Sequence, residues 1–425
     1  MHILIKQVTV IDKQSVYNNK IIDLLVIDGN ITKIANVISE KADIIIAENN
    51  LHISCGWVDV FADYCQPGYE QKETIESGIN AAAAGGYTDV LLAPNTQPAV
   101  STKSIIESLL HKAKDRAVTI YPMGCATQNA EGKDIAEMHD MLNSNVLAFT
   151  DGWKPIQNAN IALKIMQYIK AFDGTLVQIP IDTHLSSGGL MNEGINSTKF
   201  GIAGTPALAE TIFLHRDIEL LRYAESRLHV TGISTAASVE MIRNAKSEGL
   251  SITCSVTPYH LALTDDILNT YNSIYKVSPP LRTEKDRIAL LLGLADGTID
   301  CIATHHKPQE WDAKTKEFEY ATDGMAIQES AFNVLRHYSK NYLSIEQLID
   351  SLTVLPRSIF KMEPQSIDIG KKACITLFNL DDDNMLQIQN VKSKSKNNPF
   401  IGKKLSGSVY GIINNGLCII NKGYR

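Results

Sequence analysis

Side chains that could bind a metal or a substrate follow several apolar runs of this chain, at the points where predicted strands would end. Asp63 follows the run 57–61, and Asn95, Asp151 and His305 follow later runs. In a barrel of parallel strands the carboxyl ends meet at one mouth, so we expect these side chains to lie close together. Carboxylate oxygens and imidazole nitrogens are zinc ligands, and catalytic zinc sites use about three of them. The pattern is typical of a barrel hydrolase.

Other strand ends hold residues that cannot bind a metal. The stretch GWVDVFADYCQPG at 56–68 places Phe61 at the end of the first strand, and its ring has no lone pair to give a cation. Of the two positions 61 and 63, Asp63 alone supplies a hard oxygen ligand. The fifth run ends near Ile179 and the sixth at Gly232, and both residues lack a donor side chain. The sequence therefore predicts a barrel mouth that binds no metal in the usual way.

Two interpretations of the remaining donors stay open. In one, Asp63, Asp151 and His305 form a rearranged metal site, with His306 or Cys65 as a further candidate, because all are predicted at the same mouth. In the other, the histidines are remnants that form hydrogen bonds in a collapsed pocket. His229 lies inside a predicted strand, and we interpret it as a core histidine that binds no metal.

The elements that would position these residues alternate along the chain. Residues 1–50 alternate in period two around a turn at 28–30, which predicts antiparallel strands. From residue 57 apolar runs alternate with helical stretches, which predicts parallel βα units and an α/β barrel. The predicted strands are 57–61, 88–93, 118–122, 146–149, 176–181, 227–230, 251–255 and 299–303. Helices are predicted at 73–84, 102–116, 206–224, 236–248 and 284–295.

Strand patterns return near the end of the chain, at 373–380 and 408–420. Neither end offers enough apolar surface for a stable sheet alone, so we expect the two ends to pair into one small β domain. The predicted division is β domain from 1–52 and 366–425, with the barrel from 53–365. A Lys-rich stretch at 392–396 is interpreted as a solvated loop.

Composition narrows the class of protein. The 425 residues carry a net charge of -7, which argues against binding to nucleic acid or to an anionic membrane. Seven cysteines are scattered singly, which disfavours a disulfide framework and indicates a reducing cytoplasm. No run approaches the roughly 18 apolar residues of a membrane span. We expect a soluble, intracellular enzyme of small molecules or a protein-binding scaffold.

Several stretches carry a specific resemblance to a known family. QPGYEQKETIESGINAAAAGGYTDVLLAPNTQP, GGLMNEG, ITCSVTPYHL, VSPPLRTEKDR and NPFIGKKLSG resemble, in order, the dihydroorotases of the multifunctional-complex type in the amidohydrolase superfamily. The resemblance implies a (β/α)8 TIM barrel with a composite β-sandwich domain from both termini. It implies the reversible cyclisation of carbamoyl aspartate to dihydroorotate in pyrimidine synthesis, with one or two zinc ions. It also makes 308–327 the lid over the site.

The same resemblance shows where this chain departs from the family. The positions of zinc-binding histidines fall on Phe61, Asp63, Ile179 and Gly232, and a substrate-binding arginine falls on Cys65. The aspartate that is both ligand and general base falls on His305, which becomes the candidate catalytic residue. The residues to which the resemblance assigns substrate binding are Asn95, Arg282 and Ser278, of which Ser278 replaces an asparagine.

Three functions follow as expectations. The first is a dihydroorotase-like protein without dihydroorotase activity and without a cofactor, retained as a structural partner of aspartate transcarbamoylase and itself a homo-oligomer. The second is an active cyclic amidohydrolase with zinc in a rearranged site, acting on carbamoyl aspartate, dihydroorotate or another ureide. The third is a metal-free protein that binds a carboxylated small molecule through Asn95 and Arg282.

Overall fold

The computed structural model describes residues 1–421, and its elements follow one another in three groups. The first group consists of strands, namely β1 (His2–Val10), β2 (Ile21–Ile27), β3 (Asn30–Ala35), β4 (Ile44–Ile46) and β5 (Leu51–Cys55). In the second group strands and helices alternate: β6 (Trp57–Ala62), α1 (Ile75–Ala84), β7 (Tyr87–Leu92), α2 (Lys103–Lys112), β8 (Thr119–Pro122), α3 (Met138–Leu142), α4 (Ala159–Lys170), β9 (Leu176–Gln178), β10 (Met191–Asn192), α5 (Ile195–Phe200), β11 (Gly204–Thr205), α6 (Leu208–Ala224), β12 (Leu228–Thr231), α7 (Ala236–Ser247), β13 (Ile252–Val256), α8 (Pro258–Ala262), α9 (Glu284–Ala295) and β14 (Cys301–Ile302). The third group contains α10 (Trp311–Lys314), α11 (Ala331–Ser339), α12 (Ile345–Leu352), α13 (Val354–Ile359), β15 (Ile375–Met385), β16 (Lys404–Asn414) and β17 (Leu417–Ile420).

The second group closes into the predicted barrel. Strands β6, β7 and β8 pair in parallel, and so do β9, β12, β13 and β14. The fourth predicted strand, 146–149, is reduced to Phe149, which forms parallel bridges to Gly124 on one side and Leu176 on the other. A parallel bridge between Ala62 and His306 joins the last segment to the first and completes the ring. The α/β barrel predicted from the sequence is confirmed.

Capping residues explain where several barrel helices begin. Thr74 precedes α1 and forms a capping box with Ser77, and Thr283 does the same for α9 with Asp286. The helix predicted from residue 73 therefore begins two residues later, at Ile75. Such caps satisfy backbone N–H groups that have no partner within the helix.

The two chain ends share one sheet, as the sequence predicts. Its strand order is β17-β16-β15-β5-β1-β2-β3, and β4 also pairs with β1. The join between the ends is the antiparallel pair of β5 and β15, where Cys55 lies opposite Ile375. Because β5 continues to Cys55, the sheet extends past the predicted domain boundary at residue 52. A core of buried aliphatic residues from both ends, among them Ile5, Ile53 and Ile413, holds this domain together.

The Lys-rich stretch is not a solvated loop, and that prediction is wrong. Lysines at 392, 394 and 396 are exposed, but Ser393 and Ser395 between them are buried. The Ser393 hydroxyl donates to Glu73, and its backbone N–H donates to Glu329 at 2.7 Å. Asn397 donates from its amide to the carbonyl of Lys307 at 3.1 Å. Charge alone predicted solvation, whereas the period-two alternation places every second side chain against the barrel.

The state of the cysteines and the lengths of the helices bear on two further predictions. All seven cysteines, which lie within the described residues, are free thiols, so the prediction of no disulfide framework is confirmed. Across residues 1–421, no helix combines the length and the apolarity needed to cross a bilayer.

Trp57 joins the barrel to the β domain, and its removal should destabilise both. Its ring is fully buried and lies 4.7 Å from that of Phe332 and 5.5 Å from that of Phe378 on β15. We expect Trp57→Ala to lower the free energy of unfolding in urea by about 3–5 kcal/mol, because the cavity cannot close. Val37→Ala, at a position that is 70% exposed, is the matched control and should change it by less than about 0.5 kcal/mol. A loss below about 1 kcal/mol for Trp57→Ala would contradict this role.

Candidate functional site at the barrel mouth

Three aromatic rings fill the mouth of the barrel. Phe61 lies in β6, Trp153 follows the segment that ends at Phe149, and His305 follows β14. The centroid of the Phe61 ring is 4.9 Å from that of Trp153 and 4.8 Å from that of His305, and the last two are 5.4 Å apart. Phe61 and His305 are buried, whereas Trp153 is half-buried. We call these three residues the aromatic cluster.

Asp63 is bonded to the aromatic cluster and to its own turn. The indole Nε1 of Trp153 donates to Oδ2 of Asp63 at 2.9 Å, and the backbone N–H of Cys65 donates to Oδ1 at 2.8 Å. The Nζ of Lys307 lies 4.4 Å from the centroid of the Trp153 ring, which adds a cation–π contact. Both carboxylate oxygens of Asp63 are therefore already used.

The ring of His305 occupies space that the glycine at 232 leaves free. A Cβ atom added at Gly232 would lie 2.4 Å from Cε1 of His305, and the backbone of Gly232 has φ of +73°. His305 itself has φ of +48°, in the left-handed region. The loss of a side chain at 232 and the gain of a ring at 305 thus complement each other. The catalytic role of His305 stays a prediction.

A chain of neutral hydrogen bonds runs from His305 into the barrel. His305 Nε2 lies 2.8 Å from Oγ1 of Thr231, Ser255 Oγ donates to the same oxygen at 2.9 Å, and His229 Nε2 lies 3.1 Å from Ser255 Oγ. His229 Nδ1 ends the chain 2.9 Å from Oγ1 of Thr253. Burial lowers the pKa of His229 to about 3 and that of His305 well below its usual value, so both rings are uncharged. The interpretation of His229 as a core histidine is confirmed.

Asp151 and Asn95 bind backbone groups at the end of the fourth segment. Oδ1 of Asp151 accepts from the N–H groups of Ala126 at 3.1 Å and Thr127 at 2.9 Å, and Oδ2 accepts from the Thr127 hydroxyl. Burial raises the pKa of Asp151 to about 6 in spite of these bonds. Asn95 donates to the carbonyl of Asp151 at 2.9 Å and accepts from the N–H of Trp153 at 2.8 Å. Its amide therefore fixes the segment that carries Trp153.

Arg282 is buried among polar groups from neighbouring loops. Its Nε donates to Ser234 Oγ at 3.0 Å, its Nη1 donates to Asn192 Oδ1 at 2.9 Å, and its Nη2 lies 3.6 Å from a carboxylate oxygen of Glu210. Only 3% of Arg282 is exposed. Its predicted role in binding a substrate stays a prediction, and in this conformation its charge is neutralised by Glu210.

Ser278 lines a small cavity beside the aromatic cluster. The cavity has a volume of about 220 Å³, and Ile181, Thr205, Lys276 and Asp323 also contribute to its wall. Asp323 is held in an ion pair, with Oδ2 2.6 Å from Nζ of Lys307. Ser278 thus lies in the wall of a cavity, and its predicted role in binding a substrate stays a prediction.

His306 belongs to a buried junction and not to the aromatic cluster. Its Nε2 lies 3.5 Å from Oε2 of Glu73, and its Nδ1 accepts from the N–H of Gln328 at 3.3 Å. Glu73 also accepts from the hydroxyls of Ser393 and Ser77. Burial opposes the ionisation of Glu73, but His306 and these hydroxyls outweigh it and lower its pKa. His306 fastens the segment around Ser393 to the barrel.

Comparisons of the sequence with known proteins agree on one family. A model of the dihydro-orotase-like family matches residues 52–238. The chain is 38% identical over 423 residues to a dihydroorotase of Acetivibrio thermocellus, covering 99% of each chain. It is 35% identical over 425 residues to a dihydroorotase of Ruminiclostridium cellulolyticum, again covering 99% of each. This chain belongs to the dihydroorotase family.

Solved structures confirm the fold of this family member. The L-hydantoinase (dihydropyrimidinase) of Arthrobacter aurescens superposes with a TM-score of 0.87 at 22% identity, covering 99% of this chain and 96% of that one. The dihydropyrimidinase of Brevibacillus agri gives a TM-score of 0.83 at 20% identity, covering 100% and 96%. At this identity the likeness concerns the amidohydrolase barrel and its β-sandwich domain.

The donor set at the mouth does not fit the zinc that the dihydroorotase resemblance implies. Phe61, Ile179 and Gly232 stand at ligand positions and have no donor atom. His305 stands at the aspartate position, and its Nε2 is bonded to Thr231. Among residues 1–421 there is no group of three or more His, Cys, Asp or Glu side chains that could hold a metal ion.

The rearranged site is likewise not assembled among the residues that the structure describes. Asp63 binds Trp153 and Cys65, whereas Asp151 binds Thr127 on the far side of its own turn. His305 forms a hydrogen bond with Thr231 through Nε2, and its Nδ1 has no hydrogen-bond partner. The three side chains therefore act as hydrogen-bonding groups of the fold.

Sequence reasoning missed Trp153, which contacts Phe61, Asp63 and His305. The signal was present, because an aromatic residue directly follows the Asp151–Gly152 pair at the end of a predicted barrel strand. A search confined to metal donors in the dihydroorotase pattern passes over such a residue. The large ring at this position contributes to the packing of the mouth.

The hydrogen bonds of Asp151 predict a pH-dependent difference between two variants. Asparagine at 151 keeps an acceptor for the backbone N–H groups, so Asp151→Asn should fold. Asp151→Ala leaves those groups without a partner. At pH 7 it should therefore be about 1–3 kcal/mol less stable to unfolding than Asp151→Asn. Because the pKa of Asp151 is raised to about 6, wild type holds a proton there that the unfolded chain releases near pH 4. Its stability relative to Asp151→Asn should therefore fall as the pH rises from about 4 to about 7, by up to about 3 kcal/mol.

Urea unfolding of the three proteins across that pH range measures both effects. Equal stability of Asp151→Asn and Asp151→Ala at pH 7 would contradict a role for Asp151 in bonding the backbone. A pH-independent difference between wild type and Asp151→Asn would contradict the raised pKa.

Gly232 and His305 should be energetically coupled. Gly232→Ala forces its Cβ onto the His305 ring and strains the backbone, so we expect a loss of about 2–4 kcal/mol in the free energy of unfolding. In Gly232→Ala/His305→Ala the obstacle is gone, and the loss should be smaller than the sum of the two single losses by about 1–3 kcal/mol. Gly188→Ala is the matched control, because Gly188 has φ of +75° and an added Cβ there meets nothing within 4 Å.

A double-mutant cycle in urea tests this coupling, with Gly188→Ala reporting the cost of the backbone angle alone. Additive losses, within about 0.5 kcal/mol, would show that the His305 ring does not depend on the glycine.

Proposed function

We propose that this dihydroorotase-family protein does not catalyse the zinc-dependent reaction implied by its resemblance, and that it acts in cytoplasmic pyrimidine biosynthesis as a structural partner of aspartate transcarbamoylase. No cofactor is required for that role. The observation that carries the proposal is the aromatic cluster, which fills the barrel mouth with two rings that have no lone pair for a metal, Phe61 and Trp153, and with a histidine whose Nε2 is already bonded to Thr231. The chain itself is proposed to form a homo-oligomer.

Energetic reasoning supports the loss of zinc chemistry. Zinc activates water by lowering its pKa to about 7 and stabilises the transition state by several kcal/mol as a Lewis acid. To hold zinc here, the chain would have to displace buried rings and release Asp63 from two hydrogen bonds. It would gain one carboxylate for that cost, because Phe61 and Gly232 contribute no donor.

The groups that would bind substrate support the same conclusion. Asn95 is bonded to backbone on both sides of its amide, and Arg282 is paired with Glu210. The cavity beside Ser278 has a volume of about 220 Å³, smaller than the roughly 300–1,000 Å³ of typical ligand pockets. These facts weigh against a metal-free protein that binds a carboxylated small molecule through Asn95 and Arg282.

An active cyclic amidohydrolase remains the second candidate. Identity of 38% over 99% of a dihydroorotase favours it, since the whole scaffold is retained. It requires zinc in a rearranged site of Asp63, Asp151 and His305, and it would act on carbamoyl aspartate, dihydroorotate or another ureide. Metal content and turnover separate the two candidates.

Metal and activity measurements should show little of either. Protein purified without chelators should contain well under one zinc per chain by elemental analysis, because the mouth lacks a ligand set. Turnover of dihydroorotate and of carbamoyl aspartate should be at least about a thousandfold below that of the Acetivibrio thermocellus dihydroorotase assayed in parallel, since about 4 kcal/mol of Lewis-acid stabilisation corresponds to that factor.

The partnership is tested by sedimentation of the chain mixed with aspartate transcarbamoylase from the same organism. A defined complex of the two supports the proposal, and two independent boundaries at micromolar concentrations would count against it. Stoichiometric zinc together with turnover would establish the second candidate instead.

A further inference from the structure

Buried lysines join the loop 308–327 to the loop that follows β13. Nζ of Lys276 in that second loop donates to the carbonyl of Phe318 at 2.7 Å, and Nζ of Lys314 donates to the carbonyl of Lys276 at 3.4 Å and to that of Thr322 within its own loop at 2.9 Å. Both lysines are at most 9% exposed. Moving the loop would separate buried ammonium groups from their acceptors, which is costly in a region of low dielectric. The loop is therefore held in one position.

Neighbouring loops support it. Phe318 packs into a small core with residues of the loops that follow β9 and β13, namely Met191, Ile202 and Leu268. The carbonyl of Lys314 accepts from the hydroxyl of Ser273 in the second of these loops. Three loops at the mouth thus form one packed surface layer over the barrel.

Large apolar side chains project from this layer into solvent. Trp311 is 76% exposed, Tyr320 71%, Ile195 87% and Tyr271 51%. Tryptophan is highly buried on average, so a tryptophan exposed to this extent on a fixed loop is unusual. Aromatic side chains held in place before binding are typical of the residues that contribute most to protein interfaces. We call these four residues the mouth patch.

Acidic residues surround the aromatic part of the mouth patch. Asp312, Glu317 and Glu319 are exposed, and Lys316 is the exposed basic residue between them. Such a rim attracts arginine and lysine on a partner and repels nucleic acid and anionic lipid. It also opposes contact with the same face of a second copy, because like charges would then meet.

We propose that the mouth patch is the docking surface for a different protein, whose contact face carries basic residues around an apolar recess that accepts Trp311. The inference rests on the proposed function, since it identifies the face through which a structural partner is bound. The bonds of the buried lysines and the packing of Phe318 hold this face in one conformation, so that binding orders few additional side chains.

Sedimentation or calorimetric titration with aspartate transcarbamoylase tests the proposal. Trp311→Ala/Tyr320→Ala should weaken binding at least about thirtyfold, the factor expected of interface residues that dominate affinity. Tyr223→Ala is the matched control, because Tyr223 is 74% exposed on α6 outside the patch, and it should change binding less than about twofold. Added salt should weaken the binding of wild type to aspartate transcarbamoylase, and Asp312→Asn/Glu317→Gln/Glu319→Gln should remove most of this salt dependence.

Each outcome bears on one of the two proposals or on both. A wild-type complex that the double variant forms with equal affinity would overturn the docking surface and leave the structural partnership standing. Absence of any complex with wild type would overturn the partnership and the docking surface with it. Self-association of wild type that Trp311→Ala/Tyr320→Ala abolishes would identify a second copy as the occupant and overturn the proposal of a different protein.

Discussion

The packing of Phe61, Trp153 and His305 determines what the barrel mouth can contain. Large aromatic side chains bury on the order of 150–250 Å² each, and the three rings here gain edge or tilted contacts with one another. They occupy the part of the mouth at which the dihydroorotase resemblance would place zinc. The packing that stabilises this mouth therefore competes with a metal centre for the same space.

The electrostatics of the barrel interior are consistent with that packing. Zinc sites concentrate carboxylates and imidazoles, whose mutual repulsion or desolvation the cation offsets. Here burial keeps His229 and His305 neutral, and hydroxyls of Thr231 and Ser255 connect them. The carboxylate of Asp151 accepts three hydrogen bonds from the turn around Thr127. The carboxylate of Asp151 and the hydroxyls of Thr231 and Ser255 thus have local partners, whereas Nδ1 of His305 is buried without one.

Most of the fold could be predicted from periodicity, because the strands are apolar runs and the helices follow them at regular spacing. The fourth strand was predicted too long: its pairing is confined to Phe149, because the chain then turns at Asp151–Gly152. The path of the segment around Ser393 could not be predicted, since its partners Glu73 and Glu329 lie more than sixty residues away in sequence.

At the mouth, residue type shows which positions lack donors, but the position of Trp153 depends on Asn95, whose amide fixes its backbone. Long-range hydrogen bonds of this kind leave no periodic signal.

The resemblance makes residues 308–327 a lid, and a lid must open to admit a substrate. The contacts of this loop decide how readily it can do so. Lys314 is the most informative group, because burial lowers its pKa to about 8 while its ammonium donates to carbonyls of the loop. The negative charge of Asp323 opposes this lowering, and the carbonyl acceptors replace the water that the buried ammonium has lost. Opening would expose Phe318 as well, whose ring packs against Met191 and Leu268. A loop held by both charged and apolar contacts presents a constant surface to solvent. To admit a substrate, the loop would have to break all of these contacts.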